Sequence, residues 1–338
     1  MKNILIDVVV DQKRLEELRA IPGVNVEVID YKEERRVIPP EIIRDKHILF
    51  CTFPPENFKD MKTIEFIQIN STGYTQLFSL GLAEKGVKAC NAQGTFDVPI
   101  AEWNIAMMIN LFRDFKGIMR NQDARVWDRA ARFQKEIRGS IAGIWGYGSI
   151  GRETARLAKA LGMKVYAMDR DVPSKVDRTN IYRVEGTGDP EGVLPDKIFT
   201  SGQEKDFLKE LDFLIITMPL TNKTKGMIGE EELKSLPRTA YLLNPSRAHI
   251  IKEEALLRAL EEGWIAGAAL DVHYYYPMPP EHPLWSFPNV IMTPHISGST
   301  LSTLFIERTW DIFVENVRRF LSNKPLLNQL SPSQLRGE

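Results

Sequence analysis

The sequence predicts an α/β protein with two Rossmann- or flavodoxin-like domains, each built on a parallel sheet. Short apolar runs alternate with helical stretches along the 338-residue chain, as they do in parallel α/β domains. A glycine-rich turn of the dinucleotide-binding kind begins only at residue 146, so the preceding segment needs a fold of its own. At about 100–200 residues per domain, the chain has room for two hydrophobic cores.

Residues 1–97 are predicted to form the first sheet. Five apolar runs are typical of buried strands: Ile4–Val10, Val24–Ile29, His47–Cys51, Ile64–Ile69 and Val87–Cys90. A helical stretch, Gln12–Ala20, separates the first two runs. The last long helical pattern, Ser302–Leu321, is expected to return the chain to this domain.

The second sheet is predicted to follow a long helix over Val98–Phe115. Its strands are expected at Ser140–Ile144, Lys164–Met168, Phe213–Met218, Ala240–Leu243, Ile265–Ala269 and Val290–Met292. The segment Val172–Ser201 is polar and contains several glycines and prolines. We therefore expect it to be a surface excursion.

The run Gly146-Tyr147-Gly148-Ser149-Ile150-Gly151 has the GxGxxG spacing of a dinucleotide-binding turn. It follows an apolar strand and opens an amphipathic helix, Ser149–Leu161. The first glycine permits the tight bend, the second lets the backbone approach a pyrophosphate, and the third allows close helix–strand packing. The N–H groups at the helix start favour the phosphate charge. These six residues are therefore predicted to bind a dinucleotide.

A carboxylate follows the next strand at the position expected for a ribose-binding residue. Asp169 lies eighteen residues past Gly151, and the usual spacing is about 20 residues. Because the charge of Asp169 would repel a 2′-phosphate, the sequence favours NAD over NADP. The neighbouring Arg170, also predicted at the cofactor site, weakens this preference.

Composition narrows the classes of function. The formal net charge of -1 leaves no basic footprint for nucleic acid or an anionic membrane. No apolar run has the length of a membrane span, and the first run is interrupted by Asp7, so it indicates a strand rather than a signal peptide. Cys51 and Cys90 are expected to be buried thiols, which suits a reducing compartment. We predict a cytoplasmic protein without a metal site.

Three side chains that can do chemistry follow strands of the second sheet. Arg247 follows one strand, Asp271 the next, and His295 the last. Ligands of open α/β sheets bind at the carboxyl ends of the strands. An arginine, an aspartate and a histidine beside a nicotinamide site therefore indicate an enzyme.

These motifs resemble those of the D-isomer-specific 2-hydroxyacid dehydrogenases. The resemblance covers nearly the whole chain and rests on Asn91, Ile100–Glu102, Trp127, the glycine turn with Asp169, Met218–Thr221, Thr224–Gly226, Asn244–Arg247, Gly267–Val272, His282–Trp285 and Pro288–His295. It implies a substrate domain of residues 1–97 plus 296–338, an NAD-binding domain of residues 98–295, and an active-site cleft between them. It also implies a homodimer built largely on the NAD-binding domain, in which Trp103 and Met107 serve either the contact or the core.

The resemblance implies roles for individual residues. Arg247 would hold the substrate carboxylate and polarise its carbonyl, which suits a forked, permanently charged guanidinium. His295 would protonate the carbonyl oxygen as hydride arrives and act as base in reverse. Backbone amides at Thr72 and Gly73 would bind the carboxylate. Cofactor contacts are implied at Pro219, Asn244, Ser246 and Asp271, the last toward the nicotinamide carboxamide.

One departure from the family concerns the partner of the histidine. The family usually carries a glutamate five residues after the aspartate of its Leu-Asp-Val motif, and here Tyr276 stands at that position. A carboxylate stabilises the imidazolium, whereas a tyrosine hydroxyl orients the ring and supplies no charge. We therefore expect a lower pKa for His295 than in members that carry the glutamate.

Two further departures concern the substrate pocket. Phe96 stands where many members have a polar residue, and Ala248 where glycine is common. Phe96 is expected to line an aromatic pocket with Tyr274, Tyr275 and Tyr276, which would favour a bulkier or more apolar 2-keto acid. The alternative is that Tyr274 and Tyr275 are surface or interface aromatics.

The sequence thus predicts NAD(H)-dependent hydride transfer between nicotinamide and a 2-keto or 2-hydroxy acid of D configuration. Two alternatives stay open. Loss of the glutamate also suits an NAD(H)-sensing, non-catalytic binding protein, although Arg247 and His295 are both retained. It suits a formate-dehydrogenase-like enzyme as well, but that branch carries glutamine at the position of Tyr276 and asparagine at that of Phe96.

Overall fold

The computed structural model describes residues 1–130, 134–172, 174, 178–300 and 302–337. The chain divides into two compact units. The first unit comprises Met1–Phe96, Arg178–Val184 and Ser299–Glu338, and the second comprises Asp97–Asp177 and Glu185–Gly298. Each unit holds one sheet whose paired strands are all parallel. The predicted fold class is therefore confirmed.

The first unit is a five-stranded sheet with strand order β2-β1-β3-β4-β5. Its elements are β1 (Lys2–Asp7), α1 (Gln12–Arg19), β2 (Val24–Val28), α2 (Pro40–Ile43), β3 (Ile48–Cys51), β4 (Phe66–Ile69), β5 (Lys88–Cys90), α9 (Thr303–Leu321) and α10 (Pro332–Leu335). Every residue of β3 and β4 is buried because apolar clusters cover both faces of the sheet. Phe313 of α9 stacks on Phe50 of β3 at 4.3 Å between ring centroids, which ties the last long helix to this sheet.

The second unit is a seven-stranded sheet with strand order β12-β11-β10-β9-β6-β7-β8. Its elements are α3 (Asp97–Arg113), α4 (Phe115–Asp123), β6 (Ile141–Trp145), α5 (Ser149–Ala160), β7 (Lys164–Met168), β8 (Lys197–Phe199), α6 (Glu204–Leu208), β9 (Phe213–Ile216), α7 (Glu230–Ser235), β10 (Tyr241–Asn244), α8 (Glu253–Glu261), β11 (Gly267–Leu270) and β12 (Val290–Met292). Two apolar clusters, one on each face, bury the central strands.

The segment Val172–Ser201 differs from its prediction in two ways. Lys197–Phe199 forms the edge strand β8, paired with β7, rather than part of an excursion. Arg178–Val184 belongs to the first unit rather than the second. There the Tyr182 N–H donates to the Asn328 side chain, and the Asn328 N–H donates to the Asn180 carbonyl. Of this segment, residues 173 and 175–177 lie outside the described part of the chain.

Several smaller predictions can be compared with the structure. Cys51 and Cys90 are buried and free, as predicted. Trp103 and Met107 pack half-buried against the core of the second unit, which favours the core interpretation of these residues. Within the described ranges, no helix combines the length and apolar character needed to cross a membrane.

Candidate active site

The glycine turn lies at the carboxyl end of β6, where the strand order reverses between β6 and β9. Open α/β sheets bind ligands at such a point. Gly146 has φ +102°, and a Cβ there would come within 2.5 Å of the Met218 nitrogen. The Thr217 hydroxyl donates to the Gly146 carbonyl at 2.6 Å. The turn is therefore fixed against the residues that follow β9, in a form that only glycine allows.

The second glycine of the turn leaves space for a ligand. A Cβ on Gly148 would meet no atom within 4 Å. Gly148 is also the N-cap of α5, so this helix begins without a capping side chain. An uncapped helix start beside open space suits a pyrophosphate, because helix N-termini attract anions. The residues of the turn thus fit a dinucleotide.

Asp169 follows β7 and contacts the glycine turn. Its Oδ2 accepts the Tyr147 N–H at 2.6 Å, and its Oδ1 accepts the Arg170 N–H at 2.7 Å. Each oxygen retains a further lone pair that can accept a ribose hydroxyl. The Arg170 side chain is exposed and forms an ion pair with Asp171. The geometry therefore suits Asp169 as the ribose ligand more than Arg170.

Two predicted cofactor contacts have side chains that serve the protein itself. The buried Tyr147 hydroxyl donates to Asp189 at 2.8 Å. The Asn244 amide donates to the Arg247 carbonyl at 3.1 Å and accepts the Ser246 N–H at 3.0 Å. Tyr147 therefore anchors the glycine turn from inside, and Asn244 shapes the turn that carries Arg247. The sequence placed Tyr147 and Asn244 at strand ends, but position along the chain does not show in which direction their side chains point.

The remaining predicted cofactor contacts lie around the same strand ends. The Ser246 hydroxyl donates to the Met218 carbonyl, which joins the turns that follow β10 and β9. Pro219 is exposed, and its carbonyl accepts the Thr224 hydroxyl at 2.7 Å. Ile150 is half-buried in the first turn of α5. A Cβ on Gly151 would come within 2.6 Å of the Gly146 carbonyl, so the third glycine allows the close packing predicted.

Arg247 has no anionic partner among the residues that the structure describes. Its Nη1 donates to the Ser246 carbonyl at 2.7 Å. Burial lowers the pKa of Arg247 from its ordinary value, but a guanidinium stays charged at neutral pH. A cation that is partly withdrawn from water without a counter-ion is costly. A bound carboxylate would supply the missing charge.

Asp271 holds the loop that carries His295. Its Oδ1 accepts the Thr293 hydroxyl and the Ile296 N–H, and its Oδ2 accepts the Ser297 N–H and hydroxyl. These bonds fill the lone pairs of a carboxylate that is completely buried. His295 itself has φ +59°. Asp271 therefore positions the His295 loop in this structure, and its predicted contact with the nicotinamide stays a prediction.

Tyr276 is the side-chain partner of His295. Its hydroxyl lies 3.0 Å from Nδ1 of His295, and it accepts the His273 N–H at 3.2 Å. The His273 N–H occupies one lone pair of the Tyr276 oxygen and leaves the hydroxyl proton free. Tyr276 can donate this proton to Nδ1 of His295 when the imidazole is neutral. The second lone pair can accept Nδ1–H of the imidazolium. Tyr276 can thus orient both protonation states.

The pKa of His295 lies below its ordinary value. Partial removal from water is the largest cause, and the charge of Arg247 adds to it by disfavouring the imidazolium. Asp271 acts in the opposite direction. Burial raises the pKa of Tyr276, so its hydroxyl stays protonated around neutral pH. Arg247, Tyr276 and His295 are therefore brought together in the second unit as a fixed cation and an oriented proton-transfer group.

The predicted aromatic pocket is wrong for two of its tyrosines. Tyr274 packs against the core of the second unit and donates to the Ile251 carbonyl at 3.1 Å. Tyr275 is exposed, with its hydroxyl 3.4 Å from Glu253. Consecutive residues of this turn point in different directions, Tyr274 into the core and Tyr275 to the surface. The three tyrosines therefore do not line one surface.

Three predicted substrate contacts lie in the first unit and stay predictions. Phe96 is only 8% exposed and stacks on Phe305 at 4.7 Å. The Thr72 carbonyl accepts the Asn91 amide at 2.7 Å. The Gly73 carbonyl accepts the Ser71 hydroxyl at 2.8 Å. These bonds order the loop whose amides are predicted to bind the substrate carboxylate.

Sequence reasoning missed two buried residues that contact the site. His273 lies against Tyr276 and the His295 loop. The sequence signal that could have identified it is its position two residues after Asp271. Asp189 accepts the Tyr147 hydroxyl from inside a segment whose composition gave no such signal. Both residues hold side chains that the motifs had identified: His273 contacts Tyr276, and Asp189 contacts Tyr147.

Comparison with known proteins places these features in a family. Residues 105–297 match the family model described as D-isomer specific 2-hydroxyacid dehydrogenase, NAD binding domain. A glyoxylate reductase of Thermofilum pendens is 31% identical over 267 residues, which cover 77% of this chain and 74% of the relative. A glycerate dehydrogenase of Methylorubrum extorquens is 28% identical over 311 residues, which cover 88% and 90%.

A solved structure has the same fold over the full length. The glyoxylate reductase from Paecilomyes thermophila aligns with a TM-score of 0.80 and 24% identity, covering 98% of this chain and 99% of that one. The family model itself spans more than half of the 338 residues. This chain therefore belongs to the D-isomer specific 2-hydroxyacid dehydrogenase family and is an enzyme with an NAD-binding domain.

Proposed function

We propose that the enzyme transfers hydride between NAD(H) and a small 2-keto or 2-hydroxy acid of D configuration, using Arg247 and His295. The observation that carries this assignment is the Arg247 guanidinium. It lacks a counter-ion among the described residues, yet it is close enough to His295 to lower the pKa of that histidine. The names of two relatives, glyoxylate reductase and glycerate dehydrogenase, support a short-chain acid.

Each residue of the site has one task in this reaction. Arg247 binds the substrate carboxylate through its forked N–H groups and draws electron density from the carbonyl. Bound NAD(H) supplies the hydride in reduction and accepts it in oxidation. The protonated Nε2 of His295 donates to the carbonyl oxygen as negative charge develops there, while Tyr276 holds Nδ1. In the reverse direction, the neutral ring removes the hydroxyl proton.

A substrate panel tests the assignment. NADH oxidation is followed with glyoxylate, hydroxypyruvate, pyruvate and phenylpyruvate, and NAD reduction is followed with formate. We expect turnover of at least one keto acid and none of formate. NADH binding without turnover of any keto acid would contradict the proposal and indicate a binding protein. Formate oxidation would favour the formate-dehydrogenase-like alternative.

We predict a strong preference for NADH over NADPH. Asp169 would lie beside a 2′-phosphate, so like-charge repulsion should lower kcat/KM with NADPH by about 100-fold relative to NADH. Asp169→Ser should remove most of this preference. Asp206→Ser, an equal charge change at an exposed position on α6, should leave it unchanged. Equal use of both cofactors by the unaltered enzyme would refute the assigned role of Asp169.

Tyr276→Glu should extend keto-acid reduction to higher pH. Reduction requires the imidazolium, so kcat/KM falls as the pH rises through the pKa of His295, which is lowered here. A carboxylate at hydrogen-bond distance would raise that pKa by about one unit or more. Tyr276→Phe removes the hydroxyl without adding charge and should give no upward shift. The pH profiles of the three proteins test this, and identical profiles for Glu and Tyr would count against it.

We assign the homodimer contact to α4 and the residues that follow it. None of the residues of this helix is buried, and Ile118, Met119 and Trp127 are 43%, 62% and 90% exposed. Apolar residues gathered this way mark an interface. Light scattering should give twice the 38.6 kDa chain mass. The double variant Ile118→Glu, Met119→Glu should halve that mass. The control Leu304→Glu changes another exposed apolar residue and should leave the mass unchanged. A monomeric unaltered protein would exclude the contact.

We also assign the protein to the cytoplasm. The two buried, free thiols support a reducing compartment. Cell fractionation should recover the protein with cytoplasmic markers. Its recovery only in a secreted or membrane fraction would contradict this assignment.

A further inference from the structure

We propose that His273 is a positioning residue for catalysis, because it holds the loop that carries His295. This inference rests on the proposed function, since it concerns the same proton-transfer group. His273 lies two residues after Asp271 and is only 7% exposed. No step of the reaction described above uses its imidazole.

His273 contacts two groups that hold the His295 ring in place, the Thr293 carbonyl and the Tyr276 hydroxyl. Its Nε2 lies 2.8 Å from the Thr293 carbonyl, two residues before His295. A carbonyl only accepts, so the Nε2 that contacts it bears a proton. Its backbone N–H donates to the Tyr276 hydroxyl at 3.2 Å. His273 therefore fixes the start of the His295 loop and the hydroxyl that orients Nδ1.

The His295 loop needs this support. His295 has φ +59°, a conformation that residues other than glycine rarely adopt without outside restraint. Asp271 restrains the loop through the Thr293 hydroxyl before the histidine and through the amides of Ile296 and Ser297 after it. The Thr293 carbonyl is left to the His273 ring and to the N–H of His295. The hydrogen bond from Tyr276 is neutral, and charge-assisted bonds are about twice as strong. The contact between His273 and the Thr293 carbonyl is therefore a second restraint on His295, beside the neutral hydrogen bond from Tyr276.

The two ring nitrogens of His273 differ in a way that an experiment can use. Nε2 has a partner, whereas Nδ1 is buried without one among the described residues. A glutamine amide reaches roughly the position of Nε2, and an asparagine amide reaches that of Nδ1. Glutamine should therefore restore the bond to the Thr293 carbonyl, and asparagine should not.

The experiment compares His273→Phe, His273→Asn and His273→Gln in the full-length enzyme. We expect kcat for keto-acid reduction to fall about tenfold in the Phe and Asn variants, because small misplacements of reacting groups are costly. The Gln variant should retain kcat within about threefold of the unaltered enzyme, and the Kd for NADH should not change in any variant. His282→Phe is the matched control, since His282 is also buried but its Nε2 contacts Glu253 instead. It should leave kcat unchanged.

Hydrogen exchange separates this inference from the proposed function. The amide of His295 donates to the Thr293 carbonyl at 3.0 Å. It should exchange faster in the Phe and Asn variants than in the Gln variant, whether or not a keto acid is turned over. Equal kcat and exchange in the Gln and Asn variants would overturn the inference. So would a Phe variant that keeps full kcat, or a loss of kcat that follows the Kd for NADH and the Tm.

Discussion

Replacing Arg247 by glutamine should lower kcat/KM for keto-acid reduction by about 1,000-fold. The guanidinium is the only described side chain of the second-unit site that carries a permanent positive charge without an anionic partner. The substrate carboxylate would lose its counter-ion, and the carbonyl oxygen would lose a cation as charge develops on it. Steady-state kinetics at saturating NADH measure this loss.

Arg247→Lys separates charge from geometry. Lysine keeps the cation but offers no planar fork, so we expect kcat/KM to stay about 100-fold below the unaltered enzyme. Arg258→Gln, at an exposed arginine of α8, is the control and should have no effect. The Kd for NADH should change little in either Arg247 variant. A glutamine variant that keeps kcat/KM within tenfold would exclude Arg247 as the carboxylate ligand.

His295→Gln should lower kcat for reduction by about 100- to 10,000-fold, the usual contribution of a general acid. Glutamine can still donate a hydrogen bond to the carbonyl oxygen, but it cannot release a proton. The substrate carboxylate keeps Arg247, so KM should change much less than kcat. Rapid-mixing and steady-state measurements of kcat check this expectation.

The pH dependence gives the same prediction a second readout. The unaltered enzyme should lose reductive activity as the pH rises through the pKa of His295, which burial and Arg247 hold below its ordinary value. Oxidation of the hydroxy acid should show the opposite limb, because it needs the neutral ring. Both limbs should disappear in His295→Gln. A limb that survives unchanged in the variant would mean that another group titrates.

Much of the fold follows from apolar runs that are buried on both faces. Lys164–Met168 and Val290–Met292 are observed at their predicted bounds. The edge strand β8 was not predicted, because Lys197 and Ile198 are exposed and no apolar run marks them. The exchange of Arg178–Val184 into the first unit depends on long-range hydrogen bonds to Asn328. Such contacts leave no local pattern in the sequence.

The sequence located the site but not the direction of every side chain. The pairing of Tyr276 with His295 followed from the position of Tyr276 in the family motif, and the structure shows the contact at 3.0 Å. Asp271 was placed at the correct strand end, yet its oxygens are filled by the His295 loop. Tyr147 points into the protein, toward Asp189. The spacing of residues along the strands predicts which residues lie near the site. Which of their polar atoms already have hydrogen-bond partners depends on contacts that form only in the folded chain.

The most direct test of the central claim is the fate of a labelled hydride. The enzyme is given NADH that carries deuterium at one face of nicotinamide C4, together with the best keto acid of the panel. We predict that one of the two labelled forms transfers one deuterium to C2 of the product. The configuration is read with the best panel acid whose product has a stereocentre, which excludes glyoxylate, and we predict the D-hydroxy acid by chiral chromatography. A product of L configuration, or one without deuterium from either form, would contradict the account.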